Sequence, residues 1–272
     1  MLCISKFREK MTHLSNGFSL LEMAIVLIIV GLVSGMTLPL LTLQNQRTSV
    51  LKTRENQEYI LNALASYYLQ HKNLPCPANP KAKLDQFGLA EENCLKEKLY
   101  QGLIPFRTLG ISEKWTKDGF GHYMTYVPEE KFLTEYQEDH TVCAEKKGAL
   151  RLQEALGNDV ISAKAHDFIG IVLVSHGPSG NGAFQGQGSL SRINIKTLQG
   201  AKLENANGDL TFSEFVKSAD EEFDDILRWE SRNQFMAHYV RLPCASNSKT
   251  KVEEKKKTPT PQDIPETTED KL

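Results

Sequence analysis

The chain has 272 residues, 40% of them hydrophobic, with 34 acidic and 32 basic side chains. This length and this apolar content are sufficient for one or two domains with a hydrophobic core. The nearly balanced charge excludes a nucleic-acid binder that acts through bulk positive charge, so we expect no direct nucleic-acid partner.

A basic N-terminal leader precedes a long apolar segment. Lys6, Arg8 and Lys10 lie in the leader, and residues 18–43 then contain a single charged side chain, Glu22. A bilayer core is spanned by about 20 apolar residues in a helix, so this segment is long enough to cross a membrane. Basic flanks stay on the cytoplasmic side, which predicts that the chain after this segment lies outside.

Glu22 is unusual, because a carboxylate within a membrane helix is costly and is usually kept for a specific partner. The string GFSLLE at residues 17–22 resembles the type IV prepilin motif. The resemblance implies that a prepilin peptidase removes residues 1–17 by cutting after Gly17, and that the new N-terminus, Phe18, is methylated. It also implies that Glu22 neutralises the N-terminal ammonium of a neighbouring subunit, since two groups that are each costly in hydrocarbon offset one another.

The helix is predicted to continue beyond the apolar segment. Residues 44–71 contain no Gly or Pro, are rich in helix formers and carry an apolar stripe. The string LPCP at residues 74–77 then ends the helix, because two prolines cannot continue it. We therefore expect an amphipathic half-helix over residues 44–73, packed on a globular head over residues 74–245, as in pilin-like proteins.

Two segments of the head are predicted to be strands. Residues 118–128 contain a turn followed by an alternating strand, and residues 168–174 are continuously apolar, which is typical of a central strand. A glycine loop over residues 175–182 follows, and residues 223–229 contain an Asp-Ile-x-x-Trp strand. The predicted fold class is α+β: a long N-terminal helix, its first half transmembrane, packed on a small antiparallel β-sheet head.

The order of strand, glycine loop and Asp-Ile-x-x-Trp strand resembles the major pseudopilins of type II secretion. In that family the loop binds calcium through aspartate and carbonyl oxygens, and calcium takes six to eight oxygen ligands. The resemblance makes Asp224, Asp225 and Asn181 candidate calcium ligands. This chain departs from the pattern, since Ser179 replaces an aspartate and residues 189–222 are inserted before the Asp pair. A hydrogen-bonded loop without metal is therefore favoured over a calcium site.

Five cysteines are present, and Cys3 would be removed with the N-terminal leader, residues 1–17. The four that remain are Cys76, Cys94, Cys143 and Cys244. In an oxidising compartment they allow two disulfides in one of three connectivities. A bond from Cys76 to Cys94 would close a modest ring, and Cys143 is a candidate partner for Cys244.

The sequence contains no pattern that indicates an enzyme. Ser175 and His176 are adjacent but lie outside a GxSxG elbow, and neighbours in sequence do not place a hydroxyl on an imidazole. His122, His166 and His176 lack the spacing of metal ligands. From residue 246 onward the composition is charged and proline-rich, which predicts a disordered tail over residues 246–272.

We therefore expect a structural subunit, a pseudopilin or minor pilin, of a periplasmic type II secretion or type IV pilus filament. The expected location is the bacterial inner membrane, with the N-terminus cytoplasmic and the head periplasmic. The partners that the resemblance implies are prepilin peptidase, other pilin or pseudopilin subunits, the inner-membrane assembly platform and membrane lipid. The alternative is a membrane-tethered adhesin or substrate-binding module that uses prepilin processing, with the head and the insert at residues 189–222 as its recognition surface.

Overall fold

A computed structural model describes residues 19–134, 142–153, 159–161, 166–186, 189, 191–214 and 223–244, with only the backbone for residues 33 and 35–43. The predicted leader, residues 1–17, and the predicted tail, residues 246–272, lie outside the described residues. The helices are α1 (Leu20–His71), α2 (Cys94–Glu97), α3 (Glu130–Leu133), α4 (Gly200–Glu204) and α5 (Arg232–Gln234). The strands are β1 (Gly102–Leu103), β2 (Thr125–Pro128), β3 (Arg151–Gln153), β4 (Ile169–Ser175), β5 (Thr211–Ser213) and β6 (Ile226–Ser231). Short 3₁₀ turns occupy Glu113–Thr116, Val142–Ala144 and Ile195–Thr197, and a π-helical turn occupies Phe235–Tyr239.

Helix α1 is a single element of 52 residues with a defined cap at each end. At its start, the Ser19 hydroxyl accepts the backbone N–H of Leu21 at 3.3 Å. At its end, Lys72 adopts a left-handed conformation with φ of 61° and donates its N–H to the Tyr68 carbonyl at 2.8 Å. These bonds satisfy backbone groups that a helix terminus leaves without intrahelical partners.

The prediction for the first half of α1 was wrong. Within the part of the chain that the structure describes, no helix is long and apolar enough to cross a membrane. A span requires about 20 consecutive apolar residues in one helix, and the described side chains of α1 do not supply them. The fold is α+β, with a long N-terminal helix and a four-stranded antiparallel sheet, and the prediction of a transmembrane half is not confirmed.

The main sheet has four antiparallel strands in the order β1-β2-β4-β6. Strand β4 lies between β2 and β6, where Val172 pairs with Val127 on one side and with Trp229 on the other. All seven residues of β4 are buried, which explains why its sequence is apolar without alternation. This is the central position expected for the run at residues 168–174.

One face of the main sheet packs against the second half of α1. Ile60, Leu61 and Leu64 of the helix share a buried cluster with Tyr126 of β2 and Leu173 of β4. The glycine turn before β2 also contacts the helix, since a Cβ at Gly119 would lie 2.0 Å from the Ser49 carbonyl oxygen. Only glycine permits this approach.

The opposite face of the main sheet is covered by a second layer. Strands β3 and β5 form a two-stranded parallel sheet, with Leu152 opposite Phe212. Both side chains are buried in a cluster with Val172 and Val174 of β4. Since β5 belongs to the insert at residues 189–222, part of that insert is a structural layer of the head, which the sequence did not indicate.

Two disulfides join segments that lie outside the strands. Cys76 is bonded to Cys94 and Cys143 to Cys244, with Cα–Cα distances of 5.9 and 5.3 Å. Cys143 and Cys244 also pack against the core cluster beneath α1. The second bond therefore ties the last described residues to the middle of the head.

Candidate assembly face and loop site

The first half of α1 presents an apolar surface that no described part of the chain covers. Leu20 is 92% exposed, Leu27 is 66% exposed and Leu32 is 62% exposed, and Ile25, Val26, Ile28 and Ile29 between them are also exposed. We call residues 20–32 the assembly face. Apolar side chains repeated around a helix are costly in water, so a surface of this kind requires an apolar partner.

Glu22 lies on this face, in the first turn of α1. Its carboxylate is exposed and forms no ion pair within the described residues. The first turn of a helix carries a partial positive charge, which favours an acidic side chain there. Gly17 and Phe18, the predicted processing residues, lie outside the described residues, so their cleavage and methylation stay predictions.

The second site is the loop that leaves β4 and the segment that enters β6. Asp224 accepts the backbone N–H of Ser179 at 2.9 Å. Its other carboxylate oxygen forms an ion pair with the ammonium of Lys202, which also donates to the Ser179 hydroxyl at 2.8 Å. Burial raises the pKa of Asp224, but the Lys202 ammonium and the Ser179 N–H outweigh it, so that this pKa lies below its ordinary value.

Asp225 faces a different set of groups. Its side chain is fully buried and accepts the Asn205 amide N–H at 2.9 Å, while its other oxygen lies 3.8 Å from Nδ1 of His176. Asn205 is in turn held by the backbone of Ser213 in β5, through bonds of 2.8 and 3.2 Å. The two adjacent aspartates therefore bind two residues of the insert, Lys202 and Asn205.

Asn181, the third predicted calcium ligand, accepts the Asn194 amide N–H at 2.7 Å through its side-chain oxygen. The three candidate residues are thus in the same region, but one side-chain oxygen of each accepts an N–H, and Asp224 also contacts an ammonium. No group of three or more His, Cys, Asp or Glu residues that could hold a metal ion occurs among the residues described. Calcium takes six to eight oxygen ligands, and an ammonium already contacts one of these carboxylates, so the described residues do not fit a calcium ion.

Beneath this loop, charged and polar side chains form a buried network. Nε2 of His176 lies 3.3 Å from the Thr125 hydroxyl, and the Ser175 hydroxyl donates to Asp118 at 2.7 Å. Ser175 therefore faces a carboxylate and not the neighbouring imidazole. His176, Thr125 and Ser175 are fully buried.

Arg192, another residue of the insert, completes the network. It donates to the Gly182 carbonyl at 2.7 Å and to the Gln101 side chain at 2.8 Å, and its guanidinium lies 4.0 Å from the centre of the Phe184 ring. Burial lowers the pKa of Arg192 to about 10, against a smaller opposite effect of Asp225. Arg192 therefore ties the insert to the glycine loop and to the segment before β1.

Sequence reasoning identified Asp224, Asp225 and Asn181 but missed their partners Lys202 and Asn205. One signal was available: Lys202 and Asn205 are three residues apart in a stretch that reads as helix, a spacing that places side chains on one face. The position of the insert, between the glycine loop and the Asp pair, is the second signal.

No protein-family model, no curated protein and no solved structure matches this chain.

Proposed function

We propose that this chain is a structural subunit of a pilin-type filament: a pseudopilin or minor pilin, processed after Gly17, that assembles on the periplasmic side of a bacterial inner membrane. The observation that carries the proposal is the assembly face. An exposed apolar half-helix continues without a break into a half-helix that forms part of the core of a disulfide-bonded head.

This arrangement suits a subunit that polymerises through its helix. Several copies can bury their assembly faces against one another in a central bundle, which removes apolar surface from water at roughly 25 cal/mol per Å². The second half of α1 is held to the head by packing and by polar bonds, such as that from the Gln57 amide to the Ile226 carbonyl at 3.0 Å. We therefore expect the head to keep a fixed orientation relative to the half of α1 that enters the bundle.

The two disulfides support a head that folds in an oxidising compartment, because such bonds persist in the periplasm and are rare in the cytosol. Type II secretion and type IV pilus systems both assemble filaments in that compartment. The partners that follow from the proposal are prepilin peptidase, the other pilin or pseudopilin subunits and the assembly platform.

The structure gives less support to a receptor whose recognition surface is the insert. Phe212 of the insert is fully buried, and Lys202 and Asn205 are bonded to the Asp pair. Deletion of residues 189–222 would therefore remove part of the core, and its effect on binding could not be separated from unfolding. Substitutions on the assembly face distinguish the two functions better.

The test is incorporation of the full-length chain into filaments in its native host. We expect Leu27→Asp to abolish incorporation, since a carboxylate would be buried in the bundle without a partner. The matched control is Leu84→Asp, a substitution of a 77% exposed leucine in the head, which should assemble normally. Both variants should keep their disulfides. Normal incorporation of Leu27→Asp would contradict the proposal.

Processing is tested separately by mass spectrometry of the mature N-terminus. The proposal expects a chain that begins at methylated Phe18, and a chain that begins at Met1 would refute processing. Glu22→Gln should then be processed but assemble poorly. The control, Glu55→Gln at an exposed position of the same helix, should be processed and should assemble normally.

A further inference from the structure

The insert contributes a positive charge to the loop between β4 and β6. Helix α4 carries Lys202 to a position where its ammonium contacts both the Ser179 hydroxyl, at 2.8 Å, and the Asp224 carboxylate. The Lys202 side chain is 12% exposed and the Asp224 side chain is 23% exposed. Water is therefore largely excluded from this pair, which strengthens its attraction relative to a surface ion pair.

We propose that the Lys202 ammonium is the built-in cation of this loop, and that the insert holds the loop closed without a divalent metal. The ammonium has three N–H donors and is covalently attached to the chain. It can therefore bind a carboxylate and a hydroxyl at once, and no ion has to be taken up from solution. A calcium ion at the same carboxylate would meet this ammonium at short range and would be repelled by it.

Helix α4, which carries Lys202, is held to the head at a second point. Asn205, which follows α4, binds Asp225 at 2.9 Å and exchanges two hydrogen bonds with Ser213 of β5. Since β5 is paired with β3 and covers the main sheet, α4 cannot shift without disturbing the core. Lys202 thus lies on a helix whose following residue is bonded to β5 and to Asp225.

The loop is closed tightly where the two strands approach. Gly177 has a φ of +60°, and a Cβ at this position would lie 2.0 Å from the Asp224 carbonyl oxygen. Backbone therefore lies against backbone beside the ion pair. The side-chain oxygen of Asn181, which could otherwise turn toward a metal, accepts the amide of Asn194 at 2.7 Å.

The test is thermal unfolding of the oxidised full-length chain in detergent micelles, with calcium chloride or with EDTA. For the wild type we expect the same Tm in both conditions. Lys202→Met, which keeps an unbranched side chain one atom shorter and removes the charge, should lower Tm by about 2–4 °C in EDTA. The control is Lys196→Met, at an exposed position of the same insert, which should leave Tm unchanged.

Two results would overturn the proposal. One is a wild-type Tm that rises with calcium and falls with EDTA, since the loop would then depend on a metal. The other is a Lys202→Met variant as stable as the wild type in EDTA. A double-mutant cycle with Asp224→Asn adds an independent measurement: the loss from Lys202→Met should be smaller in the Asp224→Asn background, and additive losses would contradict the ion pair. None of these measurements depends on filament assembly.

Discussion

The Glu129 carboxylate accepts the backbone N–H of Leu150 at 2.9 Å, and the same oxygen accepts the N–H of Ala149 at 2.8 Å. Glu129 directly follows β2 and is only 1% exposed. The two bonds hold the chain that leads into β3 against the end of β2 in the main sheet. Burial raises the pKa of Glu129, and the backbone N–H groups offset this only in part.

This raised pKa predicts a specific dependence of stability on pH. The folded protein binds the Glu129 proton more tightly than the unfolded chain, whose carboxyl has its ordinary pKa of 4.5. The stability from this group is therefore fully present below that value and is lost as the pH rises through the higher folded pKa. Glu129→Gln keeps an acceptor for both N–H groups and cannot ionise.

We expect the free energy of unfolding of Glu129→Gln, relative to the wild type, to increase as the pH rises from the ordinary carboxyl pKa of 4.5 through the higher folded pKa, and to level off above it. Urea unfolding at several pH values measures this difference. The control is Glu97→Gln at an exposed position. A difference between Glu129→Gln and the wild type that does not change with pH would show that Glu129 has no raised pKa.

The two disulfides should contribute unequally to stability. The Cys143–Cys244 bond closes a separation of 101 residues and the Cys76–Cys94 bond one of 18 residues. A longer closed loop restricts the unfolded chain more. Replacement of Cys143 and Cys244 by serine should therefore cost about 4.7 kcal/mol, and replacement of Cys76 and Cys94 about 3 kcal/mol. Urea unfolding of the two double variants tests the order, and a larger loss from the Cys76 and Cys94 pair would contradict it.

The insert layer predicts a large effect of a single substitution in β5. Phe212 is fully buried against the main sheet, so Phe212→Ala should lower the free energy of unfolding by about 3–5 kcal/mol. Leu203→Ala, at a 37% exposed position of the neighbouring helix α4, should cost only about 0.5 kcal/mol. Equal losses from the two variants, measured by chemical unfolding, would show that β5 does not cover the sheet.

Some elements could be read from local pattern because local chemistry decides them. The run at residues 168–174 is apolar on both faces, and the structure places β4 between two neighbours with both faces covered. The end of α1 is similar, since Lys72 caps the helix just before the prolines that cannot continue it. In both cases the physical cause lies within a few residues.

Other features depend on residues far apart in the chain. The parallel pairing of β3 with β5 joins Leu152 to Phe212, and nothing in either short segment specifies the other. The predicted membrane span was wrong, since no helix in the described part of the chain is long and apolar enough to cross a membrane. Whether apolar residues face lipid, core or another subunit is not a property of their composition.

The sequence by itself determined the long N-terminal helix, the central strand and the placement of Asp224 and Asp225 beside a glycine loop, since helix propensity, apolar runs and turn residues act locally. Only the tertiary structure decided what those aspartates bind. Their nearest charged and amide groups, Lys202 and Asn205, come from an insert whose folding on the sheet is set by long-range burial of Phe212. A carboxylate can bind either a metal ion or an ammonium, so the residue type alone does not decide between them. The tertiary structure decides, because it determines which group lies beside the carboxylate.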